Sequence, residues 1–305
     1  MTLFSTFCPP PSAFPRRFCY NHPMIVNPNS PIIVGFVADL MFTTRIENVA
    51  RHLGYQMKWI ENAAALDTAP GQPASERPGE SLVGPAGELF RRLSDWQPAL
   101  LLFDLGNEAI PWREWLPRLK SSPATRRLPI LCYGSHVDVE TMTEAKRLGA
   151  DAVLARSRFT SDMPALLQKY ARTPDQAAIT AACREPLPDL ARRGIDLFNQ
   201  GEYYKCHDDL EEAWRQDEGD GRILYQGILQ TGIALYQIQR GNYRGAVKML
   251  LRLRQWLDPL PDTCRGVDVA GVREMVAAVH DAVQSLGPSQ LDQFDWSLVQ
   301  PIHYS

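Results

Sequence analysis

Short apolar runs that alternate with helical patterns place the strongest constraint on how this chain can fold. Residues 31–39 read PIIVGFVAD and residues 99–104 read ALLLFD, so both are apolar, of strand length, and end on an acid. Such runs, without polar alternation, are typical of strands buried on both faces of a parallel sheet. The remaining predicted elements are strands at 56–60, 129–133 and 152–155 and helices at 43–53, 111–119, 139–148 and 161–172. This alternation predicts an α/β fold with a doubly wound, five-stranded parallel sheet.

The pattern changes in the second half of the chain, where strand signals cease and helical periodicity takes over. Helices are predicted at 188–199, 202–216, 220–240, 242–257 and 267–286, which together form a helical bundle. The predicted organisation is, in chain order, a disordered extension (1–30), an α/β domain (31–172) with a flexible insertion rich in Pro, Gly, Ser and Ala (66–88), a linker (173–187), the bundle (188–286) and a C-terminal extension (287–305). A chain of 305 residues is long enough for two such domains.

Composition narrows the classes of function. Charged residues make up 22% of the chain and the formal net charge is −3, which does not favour a nucleic-acid surface. The pairs Arg126–Arg127 and Arg192–Arg193 are isolated and are interpreted as solvated side chains. No apolar run reaches the roughly 18–20 residues that span a bilayer, so no membrane partner is expected.

The six cysteines show no Cys-x-x-Cys pair and no regular spacing. Reduced thiols in a cytoplasmic protein are the simplest interpretation, although six is an even number and disulfides stay open. No glycine-rich dinucleotide motif, phosphate loop or serine-hydrolase elbow occurs either. The sequence therefore favours a role other than catalysis.

Polar residues at the ends of the predicted strands resemble the site of response-regulator receiver domains, which have a flavodoxin-like fold. Asp104 falls where that family carries its phospho-accepting aspartate, and Asp39 falls in the acidic pair that binds magnesium. Arg156 falls at the position of the family's lysine. The resemblance implies a signalling role, with a cation and a basic side chain stabilising charge on a transferred phosphoryl group.

The site departs from the family pattern at several positions. Ala38 replaces the second acid, and Arg156 replaces the compact charge of lysine. The hydroxyl position falls on Tyr133 or Gly134, with Ser135 slightly late, and Ser157 stands where a proline usually follows. These departures favour a pseudo-receiver that keeps the fold and is not phosphorylated. The alternative for Asp104 is an acid that simply ends a buried strand.

The densest polar pattern lies on the predicted helix at 202–216. Its first turn is expected to begin with Glu202, which suits the positive end of the helix dipole. His207 and Glu211 are four residues apart and so share one face, with Asp208 beside them and Trp214 on the same stripe. This spacing makes His207 and Glu211 the candidate ligands of a divalent metal ion.

The next predicted helix carries a second polar stripe, formed by Arg222, Gln226, Gln230 and Gln237. Glutamines at regular spacing on an otherwise apolar helix indicate side chains turned inward or towards a partner. Gly227 and Gly232 lower the helix propensity and are expected to permit close contact with a neighbouring helix.

Residues 189–257 resemble DUF309, a family of small all-helical domains of unknown function. The resemblance rests on FNQGEYYKCHDDLEEAWR at 198–215, QGILQ at 226–230 and RGN at 240–242. The family typically carries His-Glu where this chain has His207 and Asp208, and its following Glu and Trp match Glu211 and Trp214. Some members place a second histidine near Gln237, which implies that a two-histidine metal site is not shared here.

Three interpretations of this polar face stay open. It is a metal-dependent or catalytic site centred on His207 and Glu211, a binding module that passes a regulatory state to a protein partner, or a polar core that satisfies itself. The binding interpretation agrees best with the receiver-like first domain. The predicted function is therefore a regulatory or binding protein of a signalling pathway, with a metal-dependent enzyme of unknown substrate as the alternative.

Overall fold

The computed structural model describes residues 30–66, 84–122 and 124–305. The predicted disorder of residues 1–30, apart from Ser30, and most of the predicted insertion at 66–88 lie outside these ranges. Residues 84–88 are described, and they form the first turn of a helix rather than part of a loop. The prediction is wrong there because the Pro-, Gly- and Ala-rich composition hides the helical spacing of Leu89 and Leu93, both buried.

The first part of the chain alternates strands and helices, and the helix between its second and third strands was not predicted. Its elements are, in chain order, β1 (Ile32–Phe36), α1 (Leu40–His52), β2 (Gln56–Trp59), α2 (Gly84–Trp96), β3 (Leu100–Asp104), α3 (Trp112–Ser121), β4 (Ile130–Gly134), α4 (Val139–Arg147), β5 (Ala152–Ala155) and α5 (Arg156–Tyr170). The five strands pair in parallel in the order β2-β1-β3-β4-β5. That order is the flavodoxin-like arrangement, so the predicted fold class is confirmed.

Helices cover both faces of this sheet and bury its apolar side chains in two separate layers. On one face, Phe36 and Phe103 stack with ring centroids 4.0 Å apart and pack with Trp115 of α3. On the other face, Tyr133 stacks on Phe159 of α5 with centroids 4.7 Å apart. Full burial on both faces explains why β1, β3 and β4 read as continuous apolar runs.

The second part of the chain is mainly helical. Its elements are α6 (Gln176–Ala182), α7 (Asp189–Asn199), α8 (Cys206–Gln216), α9 (Ile223–Gln239), α10 (Tyr243–Leu257), β6 (Thr263–Cys264), β7 (Val267–Asp268) and α11 (Val269–Leu286). One apolar core joins all these helices, and the C-terminal segment docks on it through Tyr304, whose hydroxyl donates to Asp196 at 2.6 Å. None of the described helices is long and apolar enough to cross a bilayer.

Three local predictions are wrong. The segment 173–187, predicted as a linker, contains α6, whose Ile179 packs into the helical core. The short antiparallel pair β6–β7 was not predicted, because two-residue strands leave no readable alternation. Helix α8 begins at Cys206 rather than Glu202, so Asp208 and Asp209 are the acids of its first turn.

A disulfide joins Cys183 after α6 to Cys264 of β6, across 81 residues of sequence. The expectation that all cysteines are reduced is therefore wrong for this pair. Cys132 and Cys206 are free and buried, and Cys8 and Cys19 lie outside the described residues. The pairing is a tertiary contact, so sequence spacing could not reveal it.

Helices α8 and α9 approach closely at Gly232. A Cβ atom at this position would lie 2.7 Å from Sγ of Cys206 and 3.0 Å from the carbonyl oxygen of Tyr203. These two neighbours are hydrogen-bonded to each other, with the Cys206 thiol donating to the Tyr203 carbonyl oxygen at 3.1 Å. The expected role of Gly232 in close helix contact agrees with this geometry.

We expect Gly232→Ala to lower the free energy of unfolding by about 1–2 kcal/mol. Overpacking a tight core costs roughly 1–3 kcal/mol, and the better helix propensity of alanine returns about 1 kcal/mol of it. Urea denaturation followed by circular dichroism measures the change. Gln239→Ala, at an exposed position of the same helix, is the control and should stay within about 0.5 kcal/mol of the parent. Equal stability of Gly232→Ala and the parent would contradict the packing account.

Candidate functional site

The strongest candidate site is a cleft of about 680 Å³ at the carboxyl edge of the sheet. Parallel strands all end at this edge, and the strand order reverses between β1 and β3, which opens a crevice there. Asp39, Asp104 and Arg156, the three residues predicted for the receiver-like site, all line the cleft. The structure thus brings together residues that are as far as 117 positions apart in the sequence.

Asp104 is the buried member of this group, with 7% of its surface exposed. Its Oδ2 accepts a hydrogen bond from Nη2 of Arg156 at 2.8 Å. Its Oδ1 accepts from the backbone N–H of Gly106 at 3.0 Å. Both carboxylate oxygens therefore already have a donor from within the protein, and a charged partner compensates the buried negative charge.

The carboxylate of Asp39 is less available to a ligand in the cleft than that of a metal-binding acid would be. It is the N-cap of α1, where its Oδ1 accepts from the backbone N–H of Phe42 at 3.1 Å. Its Oδ2 lies 3.7 Å from Nη2 of Arg156, at the outer limit of an ion pair. Ala38, at the position of the family's second acid, lines the cleft without a charge.

Arg156 is held in place by two aromatic rings that sequence reasoning did not single out for this role. Its guanidinium carbon lies 4.7 Å from the ring centroid of Phe42 and 5.7 Å from that of Tyr133. Guanidinium groups stack well on aromatic faces, so these contacts fix its direction towards Asp104. Phe42 follows the Asp39 cap by three residues, which could have suggested it from the sequence.

The hydroxyl position of the family, left open between Tyr133 and Gly134 with Ser135 slightly late, is resolved by the structure. Ser135 and Gly134 line the cleft. Tyr133 is buried, with its ring stacked on Phe159, and burial together with the neighbouring Asp104 raises the pKa of its phenol. Of these three positions, Ser135 is the one that both lines the cleft and carries a side-chain hydroxyl, and Ser157 adds a second hydroxyl to the cleft.

The donor set of the cleft fits a magnesium ion poorly. A divalent cation would need the same carboxylates that Arg156 contacts, and the guanidinium charge opposes it. Within residues 30–66, 84–122 and 124–305, no group of three or more His, Cys, Asp or Glu side chains could hold a metal ion. The cleft offers charged and hydrogen-bonding groups to a ligand.

The second candidate site, on α8, is a half-exposed chain of ion pairs. Nε2 of His207 lies 3.5 Å from Oε2 of Glu211, which confirms that the two share a face. The other Glu211 oxygen accepts from Nη2 of Arg215 at 2.6 Å, a partner that the i, i+4 spacing could have suggested. The side chain of Asp208 is 86% exposed, and its Oδ1 lies 3.4 Å from Nδ1 of His207.

The polar stripe of α9 lies along the boundary with α8. The Arg222 guanidinium sits 5.2 Å from the Trp214 ring, and the Tyr204 and Tyr236 rings are 5.0 Å apart at the other end. Gln226 and Gln230 fall between these contacts and are half-buried. Oε1 of Gln230 is buried without a hydrogen-bond partner among the described residues.

The polar face is a seam at the helix surface rather than the inside of the helical part. Gln237 leaves this seam, because its Oε1 accepts from the side chain of Asn242 at the helix end. Next to the seam, burial raises the pKa of the Cys206 thiol to about 12, so it is no nucleophile at neutral pH.

Arg265 is a charged residue that does lie inside the helical part. It is only 4% exposed and stands at the turn between β6 and β7. Its Nη2 contacts Glu185 at 2.7 Å and Asp217 at 2.9 Å, and its Nη1 donates to the Tyr225 hydroxyl. No sequence pattern pointed to Arg265, because its partners come from three distant segments.

Fold and cleft together define a receiver-like α/β region followed by a helical region. Residues 191–249 match the family model described as a domain of unknown function, DUF309. An uncharacterised protein of Aquifex aeolicus is 24% identical over 104 residues, covering 34% of this chain and 31% of the relative. The uncharacterised protein YpuF of Bacillus subtilis is 28% identical over 96 residues, covering 30% of this chain and 55% of the relative. The chain thus spans about a third to about half the length of these relatives.

Solved structures of receiver domains resemble the sheet-containing part. The signal receiver domain of a response regulator from Bermanella marisrubri is 18% identical, with 46% of this chain and 98% of that chain covered and a TM-score of 0.35. The receiver domain of the sensor histidine kinase PA1611 from Pseudomonas aeruginosa, solved with magnesium in its cleft, is 14% identical, with 46% and 97% covered and a TM-score of 0.35. The flavodoxin-like fold of this part follows from the observed strand order.

A double-mutant cycle on Asp104→Asn and Arg156→Gln should give a coupling energy of about 1 kcal/mol. Removing the arginine leaves a buried carboxylate uncompensated, but Arg156 is 45% exposed, so water recovers part of the loss. Chemical denaturation of the four proteins measures the coupling. The pair Arg158 and Asp162 on the same helix, exposed and 3.8 Å apart, is the matched control and should couple by nearly zero. Equal coupling in both cycles would argue against a special role of the cleft pair.

Proposed function

We propose that this protein is a regulatory binding protein in which a receiver-like region acts without being phosphorylated and is coupled to the DUF309-like helical region. The observation that carries the proposal is the ion pair between Asp104 and Arg156, 2.8 Å apart, at the position of the family's phospho-acceptor. The matched family and the curated relatives carry no assigned activity. The chemistry of the cleft therefore supplies the argument.

Two features of the cleft work against phosphoryl transfer to Asp104. Arg156 shares the carboxylate charge, which makes the oxygen a weaker nucleophile. Ala38 stands at the position of the second acid that would help to hold a cation, so Arg156, already paired with Asp104, would have to neutralise an incoming phosphate without a well-held cation. The ion pair instead keeps the carboxyl edge of the sheet in a single, unphosphorylated conformation.

Apolar side chains around the cleft support a protein partner. Leu40 and Met41 follow β1 and are 74% and 84% exposed, while Val137 and Val139 follow β4 and are 76% and 65% exposed. Large exposed apolar groups clustered at one edge mark interaction surfaces. Asp39 and Glu108 add exposed acids to the same edge. The partner expected from this chemistry is a protein segment with apolar side chains and a basic group.

Contacts between the two parts of the chain offer a route for coupling. Nη1 of Arg254 on α10 lies 3.2 Å from Oδ1 of Asp95 on α2. The Arg127 guanidinium, in the segment before β4, lies 4.5 Å from the ring centroid of Trp256 on α10. A partner bound at the sheet edge would reach the helical region through such contacts. A cytoplasmic signalling pathway stays the predicted setting.

We expect no phosphorylation of the parent protein by acetyl phosphate and magnesium, as measured by intact mass. The pair Ala38→Asp with Arg156→Lys should gain a phosphorylated species, because it restores the second acid and the compact cation. Adding Asp104→Asn to that pair should remove it again. A parent protein that becomes labelled, with the label lost in Asp104→Asn, would overturn the proposal.

A photo-crosslinking residue placed at Met41 should capture a protein in cells that express the full chain. The same residue at Arg51, exposed on the far end of α1, is the control and should capture none or a different set. Mass spectrometry identifies the captured protein. Capture of the same proteins from both positions would show that the cleft edge has no specific partner.

A further inference from the structure

Three arginines meet where the segment before β4 touches α10. Arg126 and Arg127 are adjacent and exposed in that segment, and Arg252 is half-buried on α10. The Arg127 guanidinium covers the ring of Trp256, which lies one helical turn after Arg252 and therefore on the same face. Arg252 and Trp256 thus present their polar atoms beside the Arg126–Arg127 pair.

Among the described residues, none of these three guanidinium groups has an acidic partner or makes a hydrogen bond. The neighbouring Arg254 differs, since it contacts both Asp95 and Asp258. The other arginine pair, at 192–193, differs too, because Arg193 binds Asp209 at 2.6 Å. The charge at Arg126, Arg127 and Arg252 is therefore uncompensated, whereas arginines close by are paired.

Two buried donors belong to the same cluster. Nε of Arg252 and Nε1 of Trp256 are both buried and have no acceptor in the described part of the chain. Buried N–H groups normally find a partner, because water cannot replace the missing hydrogen bond. Burial and the charges of Arg126 and Arg127 also lower the pKa of Arg252, which a bound anion would reverse.

We infer that Arg126, Arg127, Arg252 and Trp256 form a binding site for a small phosphate-bearing ligand. Every polar group of the cluster is a donor, so only an acceptor can satisfy it, and three cations call for more than one negative charge. A phosphate group offers both, with tetrahedral oxygens that guanidinium groups bind in pairs. The site uses residues from both parts of the chain, so the ligand would strengthen their junction.

Isothermal titration calorimetry of the full chain with pyrophosphate, at constant ionic strength, tests the site. Saturable binding is expected, and Arg252→Gln should weaken it about tenfold or more through the loss of a charge-assisted hydrogen bond. Arg126→Gln, at an exposed position, is a second variant that leaves the buried packing intact and should also weaken binding. Parallel titrations with inorganic phosphate and a nucleoside triphosphate show which phosphate source the site prefers.

Arg51→Gln is the matched control, because Arg51 on the opposite side of the sheet is paired with Glu47 at 2.7 Å and its loss changes the net charge equally. It should bind pyrophosphate like the parent. The inference is overturned by absent saturable binding, by equal weakening in all three variants, or by binding that disappears only when Arg156 is replaced. Binding of poly-glutamate but not of pyrophosphate through the same arginines would contradict the phosphate assignment.

Discussion

The ion pair between Asp104 and Arg156 determines which charges and hydrogen-bonding groups the carboxyl edge of the sheet can offer to a ligand. Asp104 ends the central strand β3 and is buried there, so its charge needs a partner. Arg156 provides one from the start of α5, steadied by the rings of Phe42 and Tyr133. Strands β1, β3, β4 and β5 all contribute to this arrangement through the residues that follow or end them. A cleft built in this way suits a constant binding surface better than a switch driven by a cation.

The helical part depends on a different interaction, which is the close packing of α8 against α9. Because Gly232 has no side chain, the backbone at Tyr203 can pack directly against α9. Separately, the buried Arg265 forms ion pairs that join the β6–β7 turn to Asp217 and Glu185. The polar seam between α8 and α9 is a consequence of that packing. His207 and Glu211 lie on its rim, half-exposed, where ion pairs contribute little to stability.

The sequence predicted the elements whose signal is local and repeated. All five strands of the sheet were placed, and β1, β3 and β4 gave the clearest signal because burial on both faces leaves uninterrupted apolar runs. The residues of the cleft could be grouped as well, since parallel strands bring their carboxyl ends together. The same reasoning placed His207 and Glu211 on one face. Periodicity could not show how deeply that face is buried, and the structure leaves both side chains about one-third exposed.

The elements that sequence reasoning missed depend on contacts between distant residues. The disulfide between Cys183 and Cys264, the buried Arg265 and the packing of α6 all require the folded chain to bring separate segments together. The whole of α2 was missed for a local reason, because the glycine and proline content of its first turn resembles a loop. The arginine cluster was also missed because it depends on contacts between distant residues. Arg126 and Arg252 are far apart in the sequence and are neighbours only in the folded chain.

The central claim is that Asp104 is held by Arg156 and does not take up a phosphoryl group. Fluorine NMR of the protein with beryllofluoride and magnesium tests this most directly, because beryllofluoride binds to the carboxylate of a functional phospho-acceptor. The account predicts no bound fluorine signal that depends on Asp104. A bound signal that persists in Arg252→Gln and vanishes in Asp104→Asn would contradict it.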